Sequence, residues 1–425
     1  MNPGLIVIIC LLVLSFLGLP IYLALGIGAL ISLNIADMPL IVLPQKLFGG
    51  MNSASLLAIP LFILAGNIMS RTITKKLVDV ANAVFGQVRG SLAVVTVAAS
   101  ALFGAISGSG VATASAIGGM MIPAMKGDDY PDHFAAAVSG MAACLGPIIP
   151  PSITLIVYAN CVTNLSVSKL FIGSALPGIV LAASLIIYCM IYGKRHKLPS
   201  HKRMGGKEVL KTFKASIWAL LMPVIILGGI FGGIFTASES AAVAVAYALI
   251  VSFFIYRDMS LKEFYEVLVD SALGSTTILM LMGLSKVTSY VVTTSGLPQQ
   301  ILTLFRSITD SKIVILLLLN VLFLVIGMLM EANAAIVMMT PLLLPLLTAY
   351  GIDPLTFGIM MSFNLCIGLV TPPVGMCLLM TNQTAGANFI KTLKSALPLI
   401  AIGVVVLLLV TYAPFMTTWL PSLID

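Results

Sequence analysis

Two pairs of adjacent prolines interrupt apolar parts of the chain at matching positions. The segment "CLGPIIPPS" begins at Cys144, and "CIGLVTPPV" begins at Cys366 with its cysteine, glycine and both prolines at the same spacing. A proline ring removes a backbone N–H and frees a carbonyl from its helical partner, so each segment predicts a broken helix. At membrane depth, free carbonyls survive only where protein or a water-filled cavity surrounds them. The two breaks are therefore the first candidates for a binding site.

Two further interruptions accompany the prolines, one in each half of the chain. "SGSGVAT" at 107–113 and "GMLMEAN" at 327–333 both divide long apolar stretches. The carbonyl ends of half-helices suit a small hard cation such as Na⁺, and half-helix N-termini offer free N–H groups to an anion. A single break could simply kink a packed helix or let two helices approach closely. Breaks at matched positions in both halves favour the binding of ions and a charged solute.

The residues of these breaks define two predicted Na⁺ sites. The first consists of Ser107, Ser109, Gly146, Ile149 and Pro151, and the second of Gly327, Glu331, Gly368, Thr371 and Pro373. Glu331 either senses a cation or a proton, or caps the N-terminus of the returning half-helix. Contacts with a polar substrate are predicted for residues in or beside the breaks: Gly110, Thr113, Asn160, Asn333, Asn364 and Asn382. Hydrogen bonding between helices accounts equally well for the four asparagines.

The composition places these breaks in an integral membrane protein. Of 425 residues, 60% are hydrophobic and 9% charged, and the apolar runs are long enough for many helical spans. They lack the alternation of a β-barrel, so the predicted fold class is an all-α polytopic membrane protein. The net charge of +7 comes from lysines and arginines between the apolar runs, which is typical of topology signals rather than of nucleic-acid binding. No ATP-binding loop and no catalytic or metal-spaced cluster occurs, so we expect no enzyme.

The repeated motifs divide the chain into two predicted halves of opposite orientation. A basic linker at 193–214 is predicted to be cytoplasmic and separates repeat 1–192 from repeat 215–425. Each repeat comprises scaffold helices (1–90 and 215–292), a re-entrant hairpin with a discontinuous helix (91–161 and 312–385) and a closing span (168–192 and 395–413). An odd number of crossings in each half inverts the second repeat and puts both termini outside, on the side of the membrane opposite the linker. Within the scaffold, we expect one helix to end near Arg71 and another to span 271–292.

Four motifs resemble a known family. "FGAISGSGVATASAIGGMMIPAM", "GPIIPPSI", "GGIFTASESAAVAVAYAL" and "GLVTPPVG" are similar to the large, DctM-like membrane subunit of tripartite ATP-independent periplasmic (TRAP) transporters, and the resemblance covers essentially the whole chain. The sequence departs from the family pattern at Ala237, where a Pro-Thr-Glu pattern is expected to start, and at Val111, where relatives often carry proline. The cation-binding loops of the family fall on the Na⁺ positions named above.

The resemblance implies a function and a set of partners. Members work in the bacterial inner membrane, where a Na⁺ gradient drives a transport domain to slide like an elevator against a fixed scaffold. They import organic acids such as sialic acid (N-acetylneuraminate) or C4-dicarboxylates. Their partners are a periplasmic substrate-binding protein and a small four-helix membrane subunit, which we expect not to be fused to this chain. The alternative is a stand-alone sodium-coupled organic-anion symporter of related fold; paired hairpins disfavour a channel.

Overall fold

A computed structural model describes residues 2–200 and 204–423 of the chain. Across these residues the protein is built from helices and contains no strand. Eight of the described helices are long and apolar enough to cross a membrane, or nine if one bent pair counts as a single span. The prediction of an all-α polytopic membrane protein is therefore confirmed. Positions 201–203 of the predicted linker lie outside the described residues.

The first half begins with short helices and ends with a long one. Its helices are α1 (Pro3–Phe16), α2 (Ile21–Ile35), α3 (Val42–Met51), α4 (Ala58–Phe85), α5 (Ser91–Ser107), α6 (Gly110–Thr113), α7 (Gly119–Gly127), α8 (Asp132–Ala143), α9 (Leu145–Ile148), α10 (Ile153–Cys161) and α11 (Val167–Arg195). A π-helical turn, Ala114–Gly118, joins α6 to α7. We call α5–α7 the first hairpin and α8–α10 the first broken helix. The two arms of this broken helix meet at 44°.

The second half repeats this order with longer scaffold helices. Its helices are α12 (Gly206–Phe231), α13 (Ala237–Ile250), α14 (Leu261–Thr294), α15 (Leu297–Ile308), α16 (Lys312–Leu329), α17 (Ala332–Ala349), α18 (Pro354–Gly368), α19 (Met376–Ala385), α20 (Phe389–Tyr412) and α21 (Phe415–Thr418). We call α16–α17 the second hairpin and α18–α19 the second broken helix. Helices thus end and restart at all four interruptions. The inversion of the two halves in a membrane stays a prediction.

Two predicted helix boundaries are wrong, and helices occupy part of the predicted linker. Helix α4 continues through Arg71 to Phe85, because long basic side chains can keep their charge in water while their stems stay on the helix. Helix α14 starts at Leu261 rather than 271, because Ser260 and Glu263 form a capping box that fixes its first turn. The linker predicted at 193–214 is shorter, since α11 extends to Arg195 and α12 begins at Gly206.

The hairpins and broken helices pack against one another across the two halves. Helix α8 of the first broken helix packs on α19 of the second, and α10 packs on α17 of the second hairpin. Cys144 and Cys366, which begin the two double-proline segments, meet here: the Cys144 thiol donates to the Cys366 carbonyl oxygen at 3.0 Å. Lys126 of the first hairpin donates to the carbonyl of Ala385, the last residue of α19, at 2.7 Å. Helix α4 contacts α12, α13 and α14 beside this bundle, and we call these four helices the scaffold.

Candidate functional site

The tip of the first hairpin is a tight turn rich in hydroxyl groups. Helix α5 ends at Ser107, and Gly108 adopts a left-handed conformation with φ of 60°, which favours glycine. Ser109 then caps α6, its hydroxyl accepting a hydrogen bond from the Ala112 N–H at 3.4 Å. The Thr113 hydroxyl donates to the Ser109 carbonyl at 2.8 Å and lies 3.3 Å from the Ser107 hydroxyl. Four oxygen atoms are thus gathered at this tip, namely the Ser109 carbonyl and the hydroxyls of Ser107, Ser109 and Thr113.

The first broken helix packs directly on this tip. A Cβ placed on Gly146 would lie 2.6 Å from the Ser109 carbonyl oxygen and 2.7 Å from the Thr113 hydroxyl. A Cβ on Gly108 would lie 2.6 Å from the Pro151 carbonyl oxygen, and the Ile153 N–H donates to the Gly108 carbonyl at 3.4 Å. Because Gly146 and Gly108 have no side chain, their backbones can lie this close to the facing residues.

These contacts decide how the first predicted site is arranged. Ser107, Ser109, Gly146 and Pro151 lie together where the tip meets the break. The side chain of Ile149 packs on Gly178 of α11, at 2.7 Å from the position of a Cβ there. The contribution predicted for Ile149 comes from its backbone carbonyl, so this side-chain contact does not test it. Four of the five residues of this predicted site thus lie together, and the role of the Ile149 carbonyl stays a prediction.

The tip of the second hairpin carries a carboxylate in place of the hydroxyls. Glu331 caps α17, and its side chain accepts a hydrogen bond from the Ala334 N–H at 3.2 Å. The Asn333 side chain donates to the other carboxylate oxygen at 2.7 Å. The capping role foreseen for Glu331 is therefore present, and a role in binding a cation remains compatible with it because a carboxylate has further lone pairs.

The second broken helix meets its hairpin in a similar way. A Cβ on Gly368 would lie 2.5 Å from the Cα of Gly327, so the two backbones are in contact. The Val374 N–H donates to the Met328 carbonyl at 3.3 Å, which parallels the bond from Ile153 to Gly108 in the first half. Thr371 lies in the turn between α18 and α19, and its hydroxyl donates to the Ile367 carbonyl at 2.8 Å.

The two double prolines also share a backbone feature. Both Pro150–Pro151 and Pro372–Pro373 are joined by cis peptide bonds. In the second half the turn containing Pro373 is completed by Gly375, whose φ of 51° is left-handed. Pro373 itself is exposed in this turn.

A cavity of about 870 Å³ lies between the two hairpin tips and the scaffold. From the hairpins it is lined by Ser107, Ser109, Gly110, Glu331 and Asn333, among others. The Asn333 side chain is 9% exposed, and its amide oxygen has no hydrogen-bond partner in the described chain. A buried, unpaired acceptor beside a cavity is available to a ligand donor, because leaving it unpaired is costly. Both hairpin tips therefore open onto one space that could hold a small solute.

Three of the predicted substrate residues pack elsewhere. Asn160 accepts from the Ser53 hydroxyl at 3.0 Å, Asn364 donates to Asn320 at 2.8 Å, and Asn382 accepts from the Thr392 hydroxyl at 2.6 Å. Each side chain thus joins helices by hydrogen bonds, which was the alternative explanation for the asparagines. Thr113 contributes to the first hairpin tip through its hydroxyl. Gly110 and Asn333 are the predicted substrate residues that line the cavity.

The sequence matches a family of membrane transport subunits. A family model described as "Tripartite ATP-independent periplasmic transporter, DctM component" matches residues 8–416. The chain belongs to the DctM family. Relatives with a named function are transporter permeases and not enzymes, which confirms the expectation that this chain is not an enzyme.

Three curated relatives are similar to this chain over almost their whole length. The chain is 40% identical to the uncharacterized protein YgiK of Salmonella typhimurium, over 96% of this chain and 94% of the relative. It is 39% identical to the C4-dicarboxylate TRAP transporter large permease protein DctM of Pseudomonas aeruginosa, over 93% and 92%. It is 35% identical to the sialic acid TRAP transporter large permease protein SiaM of Vibrio cholerae, over 96% of each.

The fold is also shared with a solved structure of low sequence identity. The YdaH transporter of Alcanivorax borkumensis superimposes with a TM-score of 0.59 at 15% identity, over 99% of this chain and 98% of that one. At this identity the likeness concerns the fold alone.

Reasoning from sequence missed the scaffold side of the site in this DctM-family chain. Asn67 of α4 and Asp270, Gly274 and Thr277 of α14 line the same cavity as the hairpin tips. Asp270 was overlooked because the predicted span began at 271, one residue beyond it. An acidic residue at a spacing of four and seven from Gly274 and Thr277, within an apolar helix, is the signal that would have revealed this face.

Proposed function

We propose that the chain is the membrane transport subunit of a TRAP transporter that imports an organic acid, driven by a Na⁺ gradient. The observation that carries this proposal is the pair of hairpin tips, each packed on a helix break and both facing one cavity. Free carbonyl and hydroxyl oxygens at such breaks suit Na⁺, while the cavity between them has room for a small organic acid.

Two Na⁺ sites would share this cavity with the substrate. The first would use oxygens of Ser107, Ser109 and Pro151, and the second those of Glu331 and Thr371. Na⁺ bound at a tip would fix the turn that also lines the cavity, so that ion and solute each raise the affinity for the other. Such coupling is reciprocal by thermodynamic necessity and is typically worth about 5–150-fold in affinity.

The substrate is proposed to be a small organic acid. Relatives are named for C4-dicarboxylates and for sialic acid. Gly110 would let the backbone approach the substrate, and Asn333 would supply the unpaired amide oxygen to a substrate hydroxyl or N–H. A periplasmic binding protein would deliver the acid, and a small four-helix membrane subunit would complete the scaffold within the lipid bilayer.

An elevator motion of the hairpins and broken helices against the scaffold is supported by the surfaces between them. Gly66 of α4 faces the Cα of Ser107, which lies 3.1 Å from the position of a Cβ on that glycine. Polar contacts across the boundary include those of Asn160, which accepts from Ser53 at 3.0 Å and, through its carbonyl, from Lys286 at 3.3 Å. Small residues and few polar contacts let one surface slide over the other, because little has to be broken.

The positive-inside rule gives the proposed orientation in the bacterial inner membrane. Lys194 and Arg195 end α11, and we place that end in the cytoplasm. Counting crossings from there puts the N-terminus in the periplasm and the α1–α2 turn at Gly18 on the cytoplasmic side. Because Gly18 lines the cavity, the cavity is proposed to open toward the cytoplasm. By the same count the C-terminus is periplasmic.

Uptake into proteoliposomes tests the proposal. The chain would be reconstituted with its small subunit, and uptake of labelled sialic acid and C4-dicarboxylates would be measured with and without the cognate binding protein. We expect uptake only when an inward Na⁺ gradient and the binding protein are both present. Uptake without the binding protein would instead establish the stand-alone symporter, and uptake independent of Na⁺ would refute the ion coupling.

A further inference from the structure

The scaffold wall of the cavity carries a carboxylate to which nothing above assigns a role. We propose that Asp270 forms a transient site for a monovalent cation on this wall, through which Na⁺ passes between the hairpin tips and the cytoplasm. The inference rests on the Na⁺ coupling of the proposed function. It adds a release step that the residues of the hairpin tips do not provide.

The position of Asp270 follows from one face of α14. Asp270, Gly274, Thr277, Ile278 and Leu281 line the cavity, and their spacing keeps them on the same side of the helix. At 1.5 Å per residue this face runs for about 16 Å along the cavity. Asp270 is the member nearest the start of the helix, the end that the proposed topology places in the cytoplasm. An ion leaving the cavity toward the cytoplasm therefore passes it.

Asp270 differs from the carboxylate one helical turn earlier. Glu266 pairs with Arg71 of α4 at 3.2 Å, so the two charges largely cancel. Asp270 is exposed to the cavity and has no ion pair or hydrogen bond to its side chain among the residues that the structure describes. Its neighbour Ser271 accepts from the Asn67 side chain at 2.9 Å, which ties α14 to α4 at this level. The unpaired charge is thus held on a fixed wall.

That wall is close to the first hairpin tip. Asn67 lines the cavity, and the residue before it, Gly66, packs against the backbone of Ser107. An ion released from the oxygens of the first tip therefore enters the space that Asp270 faces. The scaffold carboxylate and two residues of the first predicted Na⁺ site, Ser107 and Ser109, line the same cavity.

The charges of the lining favour a cation. Among the described lining residues are two carboxylates, Asp270 and Glu331, and neither a lysine nor an arginine. Walls of protein focus the field of such charges into the cavity and raise the local concentration of counter-ions. Glu331 already accepts hydrogen bonds from the Asn333 side chain and the Ala334 N–H, whereas the Asp270 side chain is exposed to the cavity. Asp270 is therefore the carboxylate that a hydrated ion encounters first.

Inhibition of uptake by Na⁺ inside the vesicles tests the inference. Internal Na⁺ that rebinds from the cytoplasmic side slows release, so the internal concentration that halves uptake reports on entry into the open cavity. We expect Asp270→Asn to raise this concentration about 3–10-fold, while the external Na⁺ concentration for half-maximal uptake stays within about twofold. Added choline chloride should narrow the difference, because salt screens an exposed charge.

Matched variants separate this role from a general effect of charge or folding. Asp258→Asn removes the same charge from an exposed position between α13 and α14 that lies outside the cavity lining, and should behave as wild type. Asp270→Glu keeps the charge and should also behave as wild type. If Asp270→Asn fails to assemble with the small subunit, Asp270→Ser removes the charge in its place.

The possible outcomes separate this inference from the proposed function. An internal inhibitory concentration that is unchanged in Asp270→Asn, or raised equally in Asp258→Asn, would overturn the role of Asp270 while leaving Na⁺ coupling intact. Uptake by the wild type that does not depend on Na⁺ would overturn both.

Discussion

Replacing Gly146 by alanine should disturb Na⁺ binding by pushing the first hairpin tip away from its broken helix. The new Cβ would meet the Ser109 carbonyl oxygen at 2.6 Å, the Ser109 carbonyl carbon at 2.9 Å and the Thr113 hydroxyl at 2.7 Å. Ordinary contacts of a Cβ lie beyond 3.4 Å. Because the nearest atoms are backbone, the tip has to move by several tenths of an ångström.

The size of the effect follows from the cost of overpacking. Inserting a methyl group into a packed site costs about 1–3 kcal/mol. The higher helix propensity of alanine stabilises the folded protein by at most about 1 kcal/mol, which is less than the cost of the clash. If the strain is relieved by displacing the tip, the oxygens of Ser107 and Ser109 leave their places and the Na⁺ affinity falls by about 5–150-fold.

The assay compares alanine substitutions of two glycines, one in the first broken helix and one in the first hairpin. Na⁺-dependent uptake into proteoliposomes gives the half-saturating Na⁺ concentration, and a thermal melt of the purified complex gives its stability. Gly119→Ala is the matched control, since no atom lies within 4 Å of a Cβ at that helical position. It should leave the Na⁺ titration within about twofold of wild type, because nothing near the tip is displaced. A Gly146→Ala protein with wild-type Na⁺ half-saturation would refute the assignment of this contact to an ion site.

Three other substitutions test neighbouring parts of the site. Ser107→Ala and Thr371→Ala each remove one hydroxyl at a predicted Na⁺ site and should raise the half-saturating Na⁺ concentration about 3–10-fold, with little change in the melting temperature; an unchanged titration would count against that site. Lys286→Met removes the hydrogen bond from the scaffold to the Asn160 carbonyl. It should change the equilibrium between positions of the hairpins and broken helices along the scaffold by less than about tenfold, because an exposed contact is weak. The yield of cross-links between scaffold and hairpin measures this change, and an unchanged yield would show that the contact does not hold the two surfaces together. Asn364→Ala breaks two buried hydrogen bonds of 2.8 and 2.9 Å and should lower stability by about 2–4 kcal/mol with a normal Na⁺ titration. If Asn364→Ala instead alters the Na⁺ dependence of uptake and keeps wild-type stability, Asn364 contacts an ion or the substrate.

Local chemistry explains why the breaks could be predicted. Proline cannot continue a helix, and glycine at Gly108 and Gly375 adopts a left-handed conformation that other residues avoid. These constraints act on the residue itself and do not depend on its neighbours in space. The interruptions at 108–109, 149–152, 330–331 and 369–375 therefore lie within the segments that the sequence predicted.

The ends of the scaffold helices were harder to predict. In a membrane protein the lipid-facing and core-facing sides of a helix are equally apolar, so hydrophobicity shows that a span exists without showing where it stops. Helix α4 passes through its basic residues, and α14 begins ten residues before its apolar part. The capping box of Ser260 and Glu263 indicates the start of α14, but a prediction based on hydrophobicity alone does not use it.

The sequence by itself determined that this chain crosses the membrane repeatedly, that four of its segments interrupt helices, and that its motifs are those of the DctM family. Each of these properties depends only on residue types and on short spacings along the chain. Only the tertiary structure decided that Asn160, Asn364 and Asn382 bond to other helices while Asn333 lines the cavity, and that Asp270 faces the hairpin tips from α14. The reason is that an asparagine or aspartate has the same local chemistry in every setting, and its partners are brought to it by residues distant in the chain.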